Sequence, residues 1–407
     1  MQKIFRPIPT YEGDFYSDQF IKNPWPHYEK MRSLGPVIYL PKLGNYALTQ
    51  YAAVQMALRN YKFFSSEQGV SGDKFGSEFL KGNIIASDPP RHGKLRRAMS
   101  LPLMPKALNS VQKKIETEAQ RLVDQLIEIQ SFDGIKDFAN HLPLVIVKDL
   151  LGLPEFGQDN MLNWAAAAFD ILGIQNKRGY SALAKMTEMR NFISNGLTQG
   201  MVKKGSLTDR LFKLVKDGLL DPELAPFAIR DYIGPSLDTT ISATGHLIRL
   251  FSQNPNQWDL LRAKPAFCRS AVNEAIRLGS PIRSFSRTTT DNFEFFGVSI
   301  PKGARVMILF ASANRDGSIF KKADYFDITR KNSHHLGFGH GIHACMGIHL
   351  AQMEMMSLLK AMIPRVRRIE KDDPEILLNK INFWVFKTTN AVHYLITRKL
   401  INSGVQS

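Results

Sequence analysis

The stretch FGHGIHACMG, residues 338–347, is the most informative part of this 407-residue chain. Three glycines within nine residues, Gly339, Gly341 and Gly347, predict a tight loop, because glycine accepts positive φ angles without a steric penalty. An apolar-periodic run follows directly, so Cys345 is expected near the N-terminus of a helix. Free N–H groups and the helix dipole at that end lower the pKa of a thiol. The loop is therefore suited to offer a thiolate to a metal or to act as a nucleophile.

Three interpretations of this cysteine compete. It can be a packed residue of a glycine-rich turn without chemical function. It can belong to a zinc site, since six His and Cys residues fall within sixteen positions, although none forms the usual C-x2-C or H-x3-H pair. These six are His334, His335, His340, His343, Cys345 and His349. It can also hold a haem iron as a single axial thiolate.

Composition narrows the class of protein. Hydrophobic residues make up 44% of the chain, which supports a large buried core and excludes a disordered or collagen-like chain. Only Cys268 and Cys345 are present, which excludes a disulfide scaffold and fits a reducing cytoplasm. No apolar run reaches the ~18 residues of a membrane span, and the N-terminus lacks a signal-peptide pattern. We expect a cytoplasmic protein with no membrane anchor.

The net charge of +16 indicates an affinity for acidic partners. However, the chain has no block of five consecutive Lys or Arg residues, because its basic residues are dispersed. This pattern favours a solvated surface or an acidic protein partner over a nucleic acid.

The hydrophobic periodicity predicts a mainly α fold with minor β. Helices are expected over 26–34, 106–129, 226–253 and 347–362, and strands near 37–40, 46–49, 287–290, 293–300, 305–309, 383–386 and 392–396. The helix from 226 to 253 would be about 40 Å long at ~1.5 Å per residue, enough to cross the molecule. No repeat or linker is present, so we expect one domain over residues 1–407.

Residues 338–347 resemble the haem-binding signature of the cytochrome P-450 superfamily, F-G-x-G-x-H-x-C-x-G, at every fixed position. Four further stretches stand in the order that this family requires. They resemble its haem-propionate helix (DPPRH at 88–92, with Arg96), its oxygen-activation motif (LDTT at 237–240), its Glu-x-x-Arg pair (EAIR at 274–277) and the segment with a second arginine (DITR at 327–330). The resemblance runs from about residue 24 to the C-terminus. It implies the P-450 fold, a single triangular-prism domain with the long central helix over the haem.

The resemblance also implies the cofactor and its contacts. The cofactor is expected to be haem b, iron protoporphyrin IX, with Cys345 as its metal ligand and axial thiolate. Phe338, Gly339 and Gly347 would shape the loop around the haem. The two haem carboxylates need cationic donors, which arginine provides in bidentate geometry. The donors implied are His92, Arg96, Arg287 and His343, although each one taken alone would more often be a solvated surface residue.

Glu274 and Arg277 are three residues apart and so share a face of a helix that is otherwise apolar. A surface pair would contribute under ~1 kcal/mol, whereas a buried pair must be fully hydrogen-bonded to be tolerated. Arg330 would complete a network of three side chains. By resemblance this network holds the cysteine loop and has a structural rather than a catalytic role.

Asp238 and Thr239 resemble the acid–alcohol pair that delivers protons for O–O cleavage, which an axial thiolate favours. Without the resemblance, Thr239 would be explained by ordinary hydroxyl bonding to the preceding helical turn. The chain departs from the family just before this motif, where Pro235 and Ser236 replace the usual Ala or Gly followed by Gly. Because proline removes an N–H group and clashes with the preceding turn, we expect the helix kink to be built differently.

The activity implied is that of a monooxygenase, an oxidoreductase that inserts one atom of O2 into a small organic substrate. No Gly-rich dinucleotide fingerprint is present, so we expect electrons from an acidic iron–sulfur ferredoxin with its NAD(P)H-dependent reductase. The ferredoxin would dock by charge on a monomer. The basic residues expected on that face are Lys94, Arg97, Lys106, Lys113 and Lys114. A non-catalytic haem-binding sensor or carrier is the alternative, as is a zinc- and nucleic-acid-binding protein.

The run from 280 to 290 resembles that of bacterial members that oxidise para-substituted aromatic acids such as methoxybenzoates. We therefore predict hydroxylation or O-demethylation of a small, anionic aromatic substrate. Arg230, two helical turns before Asp238, would hold its carboxylate, although pairing of Arg230 with Asp231 is the alternative. The apolar walls expected are Phe169, Leu172, Ile282, Phe285 and Phe383, with Trp384 beside the last, and each of these is more often plain core.

Overall fold

A computed structural model describes residues 8–331 and 334–371, and the backbone of the strand His393–Arg398. About 60% of the residues are helical and 10% lie in strands, so the predicted mainly α fold with minor β is confirmed. Among the described residues, no helix is both long enough and apolar enough to cross a membrane.

Fifteen α-helices are present in the described part of the chain. They are α1 Asp18–Lys22, α2 Trp25–Leu34, α3 Tyr51–Arg59, α4 Lys74–Leu80, α5 Arg91–Ser100, α6 Pro105–Ile129, α7 His141–Leu151, α8 Glu155–Asp170, α9 Lys177–Asn191, α10 Leu207–Lys216, α11 Ala225–Gln253, α12 Pro255–Ala263, α13 Cys268–Gly279, α14 Phe310–Ala313 and α15 Ile348–Met362. The four helices expected from periodicity correspond to α2, α6, α11 and α15, each within one residue of the predicted bounds.

The strands of the described residues form three small sheets. They are β1 Val37–Leu40, β2 Asn45–Leu48, β3 Phe64–Ser65, β4 Ser131–Asp133, β5 Phe285–Thr289, β6 Phe293–Phe295, β7 Val298–Ile300, β8 Arg305–Ile308, β9 Val366–Lys371 and β10 His393–Arg398. The largest sheet has the order β1-β2-β8-β5-β3, in which only the β2–β8 pair is parallel. The strand predicted over 383–386 lies outside the described residues.

The helix α11 is the centre of the molecule. Pro226 lies in its first turn, where the missing N–H would have no helical partner anyway. Its 29 residues are buried along most of their length against α8, α7 and α13. A helix that is buried on most sides over this length is part of the core and holds its side chains in fixed positions.

The cysteine loop, residues 338–347, directly precedes the first turn of α15. The Cys345 N–H donates to the Phe338 carbonyl at 2.8 Å, which closes the loop. Gly341 adopts φ +70°, and a Cβ added there would lie 2.2 Å from the carbonyl oxygen of Leu58 at the end of α3. Glycine is required at this position because α3 packs directly against the loop backbone.

A buried ion network on α13 supports the same loop. Arg277, which is fully buried, donates through Nε and Nη2 to the two carboxylate oxygens of Glu274 at 2.8 and 2.7 Å. Arg330 Nε donates to the same carboxylate at 3.0 and 3.1 Å. Two cations therefore share one buried anion, and every charge in the group has a partner.

Asn314 joins this network to the cysteine loop. Its carbonyl oxygen accepts from Arg277 Nη1 at 2.8 Å, and its side-chain Oδ1 accepts from the Leu336 N–H at 2.7 Å. Asn314 was not predicted from the sequence, since an asparagine at the end of a short helix carries no signal of its own. The geometry explains how an ion network on α13 fixes where the loop begins.

His335 is held neutral by its surroundings. Its Nδ1 accepts a hydrogen bond from the Gly337 N–H at 3.1 Å, which requires an unprotonated nitrogen. Burial, and then the charge of Arg277, lower the pKa of His335 from 6.5 to about 3. Protonation of this ring would therefore break a loop contact and place a cation beside another cation.

Substitution of Glu274 by Gln is expected to destabilise the fold by ~3–5 kcal/mol, because two buried arginines lose their anion. Urea unfolding measures the loss. Glu370→Gln is the matched control, since Glu370 pairs with Arg368 at 3.0 Å with both side chains about half exposed, and it should cost under ~1 kcal/mol. Equal losses in the two variants would contradict the structural role of the network.

Acidification is expected to destabilise the fold. The folded-state pKa of His335 lies below the ordinary 6.5, so the unfolded chain binds the proton more tightly. The stabilisation is complete above about pH 6.5 and is lost, by up to ~1.4 kcal/mol per pH unit, as the pH falls toward 3. Urea unfolding of His335→Gln at a series of pH values should show a shallower slope. An unchanged slope in His335→Gln would refute the prediction.

Candidate active site

A large cavity lies beside Cys345, between α5, α11 and α15. Its lining includes every described residue that was expected to bind the haem or the substrate. One continuous space therefore reaches from Cys345 to the apolar walls.

The sulfur of Cys345 lines this cavity and is surrounded by protein on its other sides. The backbone N–H groups of Gly347 and Ile348 donate to it, and Arg96 lies close enough to favour a thiolate. Burial outweighs these effects and raises the pKa of the thiol above its ordinary value. The predicted lowering of this pKa is thus wrong for the protein alone, since the helix-end N–H groups are present but desolvation is the larger effect.

The other predicted loop residues are placed around the sulfur. Phe338 lines the cavity and packs against the core, and its ring lies 5.6 Å from that of His335. Gly339 adopts φ +69°. A Cβ added at Gly347 would lie 3.9 Å from the sulfur. The loop thus presents backbone rather than side chains to the cysteine.

Two imidazoles stand together at one side of the cavity. The rings of His92 on α5 and of His343 are 4.5 Å apart in an edge-to-face arrangement, and both residues line the cavity. His343 Nε2 lies 3.1 Å from the hydroxyl of Ser66. His92 Nε2 is buried and has no hydrogen-bond partner among the described residues. A buried nitrogen in this condition needs a ligand or a water as its partner.

Two guanidinium groups line the same cavity. Arg287 on β5 is buried, donates to the Ser286 carbonyl at 2.8 Å, and burial lowers its pKa to about 10. Arg96 is half-buried and donates to the Ala344 carbonyl at 2.6 Å. Each arginine keeps further N–H donors. The residues present therefore fit a flat, dianionic macrocycle with a metal at its centre, because a soft sulfur ligand faces the same space as several cationic donors.

The central helix lines the cavity with several buried residues, among them Arg230 and Thr240, and is accessible at one place. From Ala228 to Ile248 every residue is buried except Pro235, Ser236 and Thr239, and these three line the cavity. The Thr239 hydroxyl donates to the Pro235 carbonyl at 2.8 Å. The helix continues without interruption through Pro235, so the expected change in the kink is a local change in hydrogen bonding.

Asp238 lies next to this opening but not in it. Its side chain is 1% exposed, and the residue is not part of the cavity lining. The structure therefore places the two members of the predicted acid–alcohol pair differently, since Thr239 faces the cavity and Asp238 lies buried behind it.

Four of the predicted apolar wall residues line the cavity, namely Phe169, Leu172, Ile282 and Phe285. Trp384 and Phe383 lie outside the described residues. Further apolar lining comes from Leu80, Ile84, Ile85 and Met189, which sequence reasoning did not single out. The periodicity of these residues is that of ordinary core, so the sequence offered no signal for them.

Arg230 is 7% exposed and lines the cavity. It donates to Oδ1 of Asn83, whose amide nitrogen donates to Asp231 at 2.6 Å, so Asn83 connects the two charged residues. Asp231 also accepts from the Ile84 N–H at 2.6 Å, and burial raises its pKa to about 6. Burial lowers the pKa of Arg230 to about 10, and its Nε has no partner among the described residues. The alternative of a direct pair between Arg230 and Asp231 is thus replaced by a connection through an amide.

The described residues contain no group of three or more His, Cys, Asp or Glu side chains that could hold a metal ion. The histidines near Cys345 point to different partners. His340 accepts from Arg59 Nε at 2.7 Å, and His335 accepts from the backbone. This arrangement does not support the zinc interpretation.

Comparisons with known proteins agree with the geometry. A family model for cytochrome P450 matches residues 252–391. The chain is 31% identical over 371 residues to the protein named cytochrome p450 CYP199A2 of Rhodopseudomonas palustris, with 90% of each covered. It is 28% identical to linalool 8-monooxygenase of Pseudomonas putida, covering 88% of this chain and 91% of the relative.

Solved structures show the same fold. CYP109E1 from Bacillus megaterium, in complex with testosterone, superposes with a TM-score of 0.82 at 22% identity, covering 93% of this chain and 99% of that one. P450BioI in complex with a ligated acyl carrier protein has the same TM-score at 23% identity, with the same shares covered. The cofactor is therefore haem b with an axial cysteine thiolate, and the activity is that of a haem-dependent monooxygenase. The fold, the site and the relatives together make this chain a member of the cytochrome P450 family.

Proposed function

We propose that this P450 oxidises a small aromatic acid, by hydroxylation or O-demethylation, with electrons from a ferredoxin. The observation that carries the substrate class is Arg230, a buried cation in a cavity whose other walls are largely apolar. A buried guanidinium with an unpartnered Nε is costly unless an anion joins it. The resemblance of residues 280–290 to members that act on para-substituted benzoates supports the same class.

Cys345 is the ligand that holds the haem iron in this proposal, since Cys268 is buried in α13 and does not line the cavity. Arg96, Arg287, His92 and His343 hold the two propionates. The bound haem supplies the activation of O2 that an anionic sulfur ligand favours. The network of Glu274, Arg277 and Arg330 holds the loop in place through Asn314.

Thr239 and Asp238 handle protons on the substrate side. The Thr239 hydroxyl faces the cavity and passes a proton into it. The buried carboxyl of Asp238 supplies the proton that replaces it.

The carboxylate of the substrate binds Arg230, and its ring packs between Phe169, Leu172, Ile282 and Phe285. An acid of this size would point its para position away from Arg230 and along the cavity. The fixed distance between the cation and the reacting position would then decide where oxygen is inserted.

A basic face formed by Arg97, Lys106 and Lys113 is the docking surface proposed for the acidic ferredoxin. Leu101 and Met104, which are 65% and 51% exposed, lie between Arg97 and Lys106 along the chain and would offer apolar contact. Two of the five residues expected here are already paired, since Lys94 binds Asp221 and Lys114 binds Asp149, each at 2.7 Å.

We place this monomeric enzyme in the cytoplasm. Family membership favours an enzyme over the haem sensor or carrier.

Cys345→Ala is expected to yield protein that loses its haem or shows no thiolate-type spectrum of the reduced carbon monoxide complex. Cys268→Ala is the matched control and should keep both, because Cys268 is a packed core residue. The haem content and the difference spectrum of the reduced carbon monoxide complex are measured for both variants. A wild-type spectrum in Cys345→Ala would remove the basis of the proposed site.

Arg230→Gln is expected to weaken the binding of 4-methoxybenzoate by ~10–100-fold, because one charged hydrogen bond is worth ~1.5–3 kcal/mol. Binding of the neutral methyl ester should change little. Titration of the haem absorption band measures both ligands, with the exposed Arg210→Gln as a charge control. Equal losses for acid and ester would contradict a carboxylate site at Arg230.

Arg97→Glu with Lys106→Glu is expected to slow reduction by an acidic ferredoxin by ~10-fold or more at low salt and to flatten its dependence on ionic strength. Stopped-flow reduction measures the rate. Lys114→Glu on the same helix is the control and should have a smaller effect, because Lys114 is bound to Asp149. A wild-type rate that does not respond to salt would exclude this docking mode.

A further inference from the structure

Ser236 is a hydroxyl in a position where the family pattern has glycine. It lines the cavity together with Pro235, Thr239 and several buried residues of α11, among them Thr240. Between Ala228 and Ile248, Pro235, Ser236 and Thr239 are the residues that are not buried. The accessible part of this helix surface therefore carries two hydroxyls rather than one.

Both hydroxyls use their hydrogen in the same way. Ser236 Oγ donates to the Tyr232 carbonyl, and Thr239 Oγ1 donates to the Pro235 carbonyl. A hydroxyl oxygen that donates its hydrogen keeps two lone pairs as acceptors. Since both residues are accessible only on the cavity side of a buried helix, those acceptors are available to a water molecule in the cavity.

The two hydroxyls lie on one side of the helix. Residues three apart in a helix are neighbours on one face, so a small molecule within hydrogen-bonding reach of one hydroxyl lies beside the other. A water molecule can bridge two polar groups that are neighbours in this way. Asp238 does not line the cavity, so a proton that leaves it reaches the cavity through a hydroxyl or a water. Asp231 does line the cavity, two helical turns earlier, where Asn83 and the Ile84 N–H bind it.

A purely structural role for Ser236 is the competing explanation. Pro235 has no N–H, so it leaves the Asp231 carbonyl without its helical donor. The hydroxyl bonds on the carbonyls of Tyr232 and Pro235 could serve only to hold this turn. That role would affect stability, whereas a role toward the cavity would affect the polarity on the oxygen-binding side of the haem.

We propose that Ser236 is a second positioning hydroxyl of the oxygen-handling site, which shares with Thr239 the water that carries protons into the cavity. The proposal rests on the roles assigned above to Asp238 and Thr239. It predicts that Thr239 is less essential in this chain than a single hydroxyl would be, because Ser236 holds the same water when Thr239 is removed.

The test uses the holoenzyme with Ser236→Ala, Ser236→Thr, Thr239→Ala and the double variant Ser236→Ala/Thr239→Ala. Ser252→Ala is the matched control, since Ser252 is on the same helix and its hydroxyl also bonds a preceding carbonyl, that of Arg249, at 2.8 Å. The first measurement is the infrared C–O stretch of the reduced carbon monoxide complex in H2O and D2O, which reports hydrogen bonding beside the haem without turnover. The second is the share of reducing equivalents recovered as product rather than as hydrogen peroxide.

Ser236→Ala should shift the C–O band and reduce its response to D2O, while Ser236→Thr and the control Ser252→Ala should keep the wild-type band. Ser236→Ala and Thr239→Ala should each lower the product yield in part, and the double variant should lose ~100-fold or more, the lower end of a general acid–base contribution. An unchanged band in Ser236→Ala, or a Thr239→Ala variant as deficient as the double, would overturn the inference and leave the proposed function intact. A double variant with the wild-type yield would overturn the role of Thr239 as well.

Discussion

The position of Cys345 depends on one buried anion. Glu274 is 1% exposed and would destabilise the fold if it were alone, but Arg277 and Arg330 both bind it. The remaining N–H groups of Arg277 donate to backbone carbonyls, one of which is that of Asn314. Through that residue a charge network in the core determines where the cysteine loop starts. Buried ion pairs add little net stability, so their use here is better understood as fixing one geometry.

The cavity contains two buried cations among largely apolar side chains. Arg230 and Arg287 are both buried, and burial lowers the pKa of each to about 10. Burial of cations in a space lined by Phe169, Leu172 and similar side chains costs desolvation energy that protein contacts offset only in part. An anion that binds there offsets the remainder. The same principle applies to haem carboxylates at Arg287 and, in our proposal, to a substrate carboxylate at Arg230.

The sequence predicted elements well where a strong local pattern exists. Apolar residues at helical spacing and a proline in the first turn located α11 within one residue of its observed start. The glycine-rich motif likewise located the loop around Cys345. The thiol pKa was predicted in the wrong direction, because desolvation depends on what surrounds the sulfur and not on its neighbours along the chain. The connection of Arg230 to Asp231 through Asn83 was missed for the same reason, since 147 residues separate Asn83 from Arg230.

The sequence by itself therefore determined the helical class, the position of the cysteine loop and the placement of Glu274 and Arg277 on one helix face. These follow from local rules, namely side-chain periodicity, glycine conformations and the spacing of residues on one helical turn. Only the tertiary structure decided that Thr239 and Ser236 face the cavity while Asp238 is buried behind them. Which side of α11 is open depends on how α8, α7 and α13 pack around it, and that packing joins residues far apart in the chain.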